Sequence, residues 1–216
     1  MAPTMIDGPR VVPAGGAPVR SLAILLHGYG SNGEDLISLA PYWRGALPAT
    51  AFVAPNAPER CPGAPGGYQW WSLTGGGPRS EGVAKAAPVL DAFIDAELSR
   101  YGLTEVELAL VGFSQGTMMA LHVGPRRRSP LAGIVGYSGM LADAAGLADP
   151  TLTHPPILLI HGDADPMIPI AAFHQAKAAL GQNGFAVESH VSAGLGHSID
   201  QAGLQLGGAF LARVLG

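Results

Sequence analysis

Val106-Glu107-Leu108-Ala109-Leu110-Val111-Gly112-Phe113-Ser114-Gln115-Gly116-Thr117-Met118-Met119-Ala120-Leu121-His122 is the stretch on which the fold turns. Residues 106–111 form an apolar run, residues 117–122 a helical pattern, and between them stands Gly-x-Ser-x-Gly. In a chain with 31 glycines the five-residue pattern alone is weak evidence. Its context is what makes it mechanical. A strand that turns sharply into a helix strains the serine backbone, and glycines two residues to either side let strand and helix approach closely. The Ser114 hydroxyl is then expected above the carboxyl ends of the strands, where open α/β sheets bind ligands. The helix beginning after it, expected over 115–122, aims backbone N–H groups at developing negative charge.

Similar short apolar runs recur on both sides. They read as strands over 21–26, 51–54, 133–135 and 157–160, and an alternating segment over 186–191 reads as a less buried strand near an edge. Continuous apolar strands suit a parallel sheet covered on both faces. Helical patterns lie between them over 34–46, 83–101, 170–180 and 198–215, with Asn32 a cap for the first and Pro88 a kink or true start in the second. The alternation predicts a doubly wound α/β sheet. Residues 55–82 break the rhythm. They are rich in proline and glycine, show no periodic element and carry Tyr68, Trp70 and Trp71, which favours a functional loop. No repeat or linker appears, so the expectation is an extended segment over 1–20 followed by a single domain over 21–216.

Composition excludes several classes. At 216 residues with 48% hydrophobic and 13% charged side chains, the chain can build a substantial core and is not expected to be disordered. Its 12 Lys and Arg and net charge of −4 give no electrostatic footprint for nucleic acid. Arg126-Arg127-Arg128 reads as a solvated turn after a helix, where cations suit the carbonyl end. Cys61 is the only cysteine and reads as an unreactive loop thiol. No run has the length of a membrane span and the first twenty residues hold no signal-peptide core, so a cytoplasmic protein without stable membrane insertion is expected. Whether it pairs as a homodimer is left open.

A serine hydroxyl is a poor nucleophile at neutral pH and needs a His to take its proton and a carboxylate to hold that His. On this fold the chain order is Ser, acid, His. The strand over 157–160 runs into His161-Gly162-Asp163-Ala164-Asp165-Pro166-Met167-Ile168-Pro169, which offers Asp163 and Asp165. One is expected to shape the turn while the other faces the His; the residues alone do not choose. Asp143 and Asp149 read as turn or cap residues. Of the later histidines, His174 falls in a helical pattern and His190 in a strand. His197, in Gly194-Leu195-Gly196-His197-Ser198 between the last strand and last helix, is the candidate base. His27 and His161 end strands before glycine and read as hydrogen-bonding anchors for their loops.

Taken jointly, Leu26-His27-Gly28-Tyr29-Gly30, Gln69-Trp70-Trp71-Ser72-Leu73, Gly112-Phe113-Ser114-Gln115-Gly116, Tyr137-Ser138-Gly139, the 161–169 segment and Gly196-His197 resemble the bacterial carboxylesterase/phospholipase family. These are relatives of the acyl-protein thioesterases within the α/β-hydrolase superfamily. The resemblance implies a three-layer α/β-hydrolase fold, with a mostly parallel sheet, helices on both faces and no large cap domain. It implies Asp165 as the acid, with Ile168 in the branched apolar slot that follows. It also implies an oxyanion hole made by the backbone N–H groups of Tyr29 and Gln115, each donor worth about 3 kcal/mol in the transition state. Many relatives carry Leu where this chain has Tyr29, which implies a narrower acyl pocket with the chemistry intact. Trp71 and Leu73 match positions beside the substrate groove; core packing is the competing reading of the Trp pair.

The leading expectation is therefore a serine carboxylesterase, with catalytic residues Ser114, Asp165 and His197, acting on small-molecule esters of short to medium acyl chains through an acyl-enzyme. Substrate-binding residues are Trp71, Leu73 and Ile168. No cofactor and no metal are expected, since no ligand spacing such as His-Glu-x-x-His occurs. Lysophospholipid hydrolysis and S-acyl thioester hydrolysis share this chemistry. A non-catalytic hydrolase fold that binds a ligand is the alternative from another class, disfavoured by an unbroken triad.

Overall fold

The computed structural model describes residues 5–74 and 76–216. Its elements, in chain order, are β1 (Arg10–Val11), β2 (Ser21–Leu26), α1 (Gly33–Ile37), α2 (Ala40–Trp43), β3 (Thr50–Val53), β4 (Glu59–Arg60), β5 (Tyr68–Gln69), α3 (Arg79–Tyr101), β6 (Leu108–Phe113), α4 (Gln115–Val123), β7 (Gly133–Tyr137), β8 (Ile157–Gly162), α5 (Ile170–Gln182), β9 (Val187–Ser192) and α6 (Gln201–Leu215). Seven strands form one sheet in the order β1-β3-β2-β6-β7-β8-β9. Only β1 runs antiparallel, against β3; the remaining neighbours pair in parallel.

The apolar runs follow from burial on both faces. Along β2, Leu22, Ile24 and Leu26 pack into a core with α3, α4 and α5, whereas Ala23 and Leu25 pack into a second core with α1, α2 and α6. Since alternate residues face opposite sides, a polar residue at either set of positions would sit in a core. The result is three layers, helix, sheet, helix. β9 lies at the edge beside β8 and is partly exposed, as expected, but its burial does not follow the alternation of its sequence, with Val191 facing solvent and Ser192 buried.

Several boundaries differ from the sequence expectation for physical reasons. The helical pattern over 34–46 is two short helices: Asn32 caps the first by accepting from the Asp35 N–H, and the Ser38 hydroxyl donates back to Asp35 O where that helix ends. α3 starts at Arg79 and contains Pro88, so the proline is not its start; Gly102, at φ 66°, closes it in the left-handed conformation. The 1–20 segment contributes β1 to the sheet and sends Arg10 to Glu97, buried on α3, at 2.6 Å. Residues 55–82 hold the β4–β5 hairpin, and Cys61 is buried in the connection between its two strands.

Arg127 departs from the solvated turn read for 126–128. It is buried, and its guanidinium reaches Asp91 at 3.1 Å, Glu105 at 3.2 Å and Asp95. The carboxylates come from two other elements and compensate the desolvated cation, which no local pattern could announce. Arg126 joins Asp143 at 3.1 Å, and Asp143 also accepts the Gly146 N–H, as a turn residue would.

One histidine gives the fold a pH dependence. His122, on α4, is pushed down to about 4 by burial and by the Arg126 cation, with Asp143 opposing. Although its Nδ1 lies 3.8 Å from Asp143, the ring is therefore neutral at pH 7 and the contact is not an ion pair. An unfolded His takes up its proton near 6.5, so the unfolded state binds more protons between about 4 and 6.5. Stability then falls as pH drops through that window and gains no further loss from this group below it. We expect the unfolding midpoint of His122→Gln to fall less steeply than that of the wild type between pH 6.5 and pH 4; parallel profiles would contradict the assignment.

Candidate active site

The turn after β6 is built from steric necessity. Ser114 takes φ 55° and ψ −113°, a strained conformation for a residue with a Cβ, costing on the order of 1–3 kcal/mol. A Cβ on Gly116 would sit 1.9 Å from Leu26 O, and one on Gly112 would sit 2.4 Å from the Thr117 N. Only glycine fits at either position. The Ser114 N–H donates to Tyr137 O at 2.9 Å, and the Thr117 hydroxyl lies 2.8 Å from both Gly112 O and Tyr137 O, tying α4 to β6 and β7. The serine is thus held at the carboxyl end of the sheet beside β7, on rigid elements.

The acid and base loops meet at the ends of β8 and β9. Asp165 is buried; its Oδ2 accepts from His197 Nδ1 at 2.7 Å, and its Oδ1 accepts the Met167 and Ile168 N–H groups at 2.8 and 2.9 Å. Burial pushes the carboxyl pKa up, but the bonds from His197 and from the two backbone N–H groups outweigh it, and the pKa lies below the ordinary carboxylate value. Asp163 points elsewhere: its Oδ1 accepts the Gly194 N–H at 2.6 Å and so fixes the loop that carries His197. Of the two acids left open by the residues, the structure brings Asp165 to the His and gives Asp163 the turn. The His161 Nε2–H donates to Ile168 O at 2.9 Å, holding the acid loop from within.

A cavity of about 360 Å³ opens at Ser114, walled by Gly28, Tyr29, Leu36, Leu39, Phe113 and His197 among others. Ser114 and His197 share it, and no hydrogen bond joins their side chains. Such contacts commonly tighten only when substrate is bound. Gln115 opens α4, so its N–H has no acceptor within the helix. Near it, Gly30 and Ser31 donate to Tyr68 O and Gly28 O, while no acceptor within the described residues is found for the Tyr29 N–H. Both expected oxyanion donors are thereby uncommitted.

The loop over 55–82 has a clear mechanical task. The Tyr68 N–H donates to Ser31 O at 2.7 Å and the Gly30 N–H to Tyr68 O at 2.9 Å, so the hairpin clasps the loop after β2. Gln115, singled out in the sequence only for its backbone, also acts through its side chain: Oε1 accepts the Trp70 N–H and Nε2 donates to Trp71 O, each at 2.9 Å. The Trp70 indole N–H donates to His27 O. His27 itself is neutral, held down by burial; Nδ1–H donates to Gly28 O at 2.7 Å and Nε2 accepts the Ala57 N–H. The two sides of the expected oxyanion hole are cross-braced through the Gln115 side chain, the backbone of Trp70 and Trp71, and the Trp70 indole.

Of the expected substrate-binding residues, Trp71 and Ile168 are buried at 6% exposure each and Leu73 is 47% exposed. None of the three walls the cavity at Ser114. Trp71 packs on α3, where a Cβ at Gly82 would lie 2.4 Å from its ring. No cluster of three His, Cys, Asp or Glu able to hold a metal ion occurs among the described residues, and no helix there is long and apolar enough to cross a membrane.

Comparison with known proteins gives concordant matches. A family model described as phospholipase/carboxylesterase matches residues 8–215. An esterase of Escherichia coli, YpfH, is 30% identical over 200 residues, covering 90% of this chain and 83% of its own. Acyl-protein thioesterase 1 of Gibberella zeae is 28% identical, covering 96% and 95%. The crystal structure of esterase PE8 superposes with a TM-score of 0.93 at 42% identity, covering 98% of this chain and all of the other. A carboxylesterase of Bacillus cereus, at 18% identity and TM-score 0.80, shares the fold.

Proposed function

The chain belongs to the phospholipase/carboxylesterase family of α/β-hydrolase fold, acting on ester bonds, and we propose that it does so as a serine carboxylesterase using Ser114, His197 and Asp165. The observation that carries this reading is the 2.7 Å bond from His197 Nδ1 to a buried Asp165, with His197 sharing a cavity with a serine held in a strained strand-to-helix turn. That bond fixes the His197 tautomer with Nε2 free to accept the Ser114 proton. Ser114 Oγ attacks the ester carbonyl, the backbone N–H groups of Tyr29 and Gln115 stabilise the oxyanion, and His197 returns the proton to the leaving alcohol. Water then repeats the sequence on the acyl-enzyme.

Small-molecule esters with short to medium acyl chains fit best, because the cavity at Ser114 holds only about 360 Å³. A panel of p-nitrophenyl esters tests this: kcat/KM is expected to peak between the acetyl and octanoyl esters and to fall by at least tenfold at palmitoyl. A maximum at palmitoyl would overturn the chain-length reading. S-acyl thioester hydrolysis is the second reading, favoured by the similarity to acyl-protein thioesterase 1; matched oxygen and sulfur esters of one acyl group separate the two.

A further inference from the structure

A second, larger concavity lies beside the one at Ser114. It occupies about 810 Å³ between α2 and α6, within the size range of small-molecule sites. Its walls include Leu39, Tyr42, Ala46, Ile199, Leu204 and Ala209. Leu39 and Ile199 also wall the cavity at Ser114, so the two form one groove running from the candidate nucleophile past His197 to the helix pair. The floor is firm: the Trp43 indole N–H, from α2, donates to Leu204 O on α6 at 2.9 Å, and Gly208 has no room for a Cβ against that indole.

We infer that this groove binds the alcohol portion of the substrate, so that the preferred esters carry a short acyl group and an extended, uncharged, apolar alcohol. The inference rests on the catalytic reading of Ser114 and His197. When the tetrahedral intermediate collapses, the acyl C–O bond breaks and its electron pair stays on the alcohol oxygen. The proton that His197 took from Ser114 passes to that oxygen. The leaving oxygen must therefore face His197, and the rest of the alcohol extends over His197, Ser198 and Ile199 into the groove. The cavity at Ser114 itself holds about 360 Å³, less than half of the roughly 810 Å³ between the helices, so the larger part of the substrate is assigned to the groove. Charge narrows the class further. Asp35 and Asp200 stand on the walls and no Lys or Arg does, which disfavours alcohols bearing phosphate or carboxylate.

Isomeric esters provide the test, because they share overall hydrophobicity. Hexyl acetate and ethyl hexanoate place the same carbons on opposite sides of the ester. The kcat/KM for hexyl acetate is expected to exceed that for ethyl hexanoate on the order of tenfold, given about twofold per methylene on a half-covered surface. Ala209→Arg on α6 and Ala46→Arg in the turn after α2, each checked for an unchanged unfolding midpoint, are expected to bring that ratio close to one. A wild-type ratio of one or below, or a ratio that survives both arginines, overturns the inference. A chain that hydrolyses neither ester nor phenyl acetate overturns the catalytic reading itself, and the groove assignment with it.

Discussion

Replacing Ser114 with alanine is expected to lower the rate of ester hydrolysis by about 10⁵- to 10⁶-fold while leaving the unfolding midpoint within a degree or two of the wild type. Both halves follow from the local structure. Alanine keeps the Cβ, so the strain at φ 55° is the same before and after the change. The Ser114 hydroxyl has no hydrogen-bond partner among the described residues, so no structural bond seen there is lost with it. What disappears is the atom that attacks. Residual activity reflects the Tyr29 and Gln115 donors and substrate positioning alone. A variant that keeps a tenth of the activity would remove Ser114 from the mechanism.

Asp165→Asn is expected to cost about 10⁴-fold in kcat, against a few-fold at most for Asp163→Asn. Asparagine at 165 can still accept the Met167 and Ile168 N–H groups through its remaining oxygen. Toward His197, however, it presents an NH₂, which forces Nδ1 to accept and moves the ring proton to Nε2. A His so protonated cannot take the Ser114 proton. At 163 the only demand is for an acceptor toward Gly194 N, and asparagine meets it. Equal losses at the two positions, measured as kcat on one acetate ester, would contradict the division of labour between the acids.

Much of this architecture was legible because the sheet is covered on both faces. Strands such as β2 and β8 must be apolar along their central positions, Leu22–Leu26 and Ile157–Ile160, and glycine and the strained serine have to appear where β6 turns into α4. The acid and His loops follow from chain order and from their place at strand ends. What escaped the sequence depends on contacts between distant segments. Periodicity cannot show that Tyr68 will pair with Ser31, since the bonds are between backbones and leave no compositional trace. Nor does it show that Arg127 will turn inward to three carboxylates on other elements, or that the Gln115 side chain will join two tryptophans. The aromatics of the 55–82 loop signalled importance, but Trp70 and Trp71 pack in the core and brace the turn at Gln115 and the loop after β2 rather than lining the cavity at Ser114. The groove between α2 and α6 was equally silent, since it exists only where two helices far apart in sequence meet.

On the proposed mechanism a single nucleophile, Ser114, is activated by His197. The most direct measurement is labelling of the whole protein with a fluorophosphonate, followed by intact-mass analysis and peptide mapping. A single adduct on Ser114, absent in Ser114→Ala and formed far more slowly in His197→Ala, is the predicted result. A folded wild type that remains unlabelled, or an adduct mapping to any other residue, would contradict it.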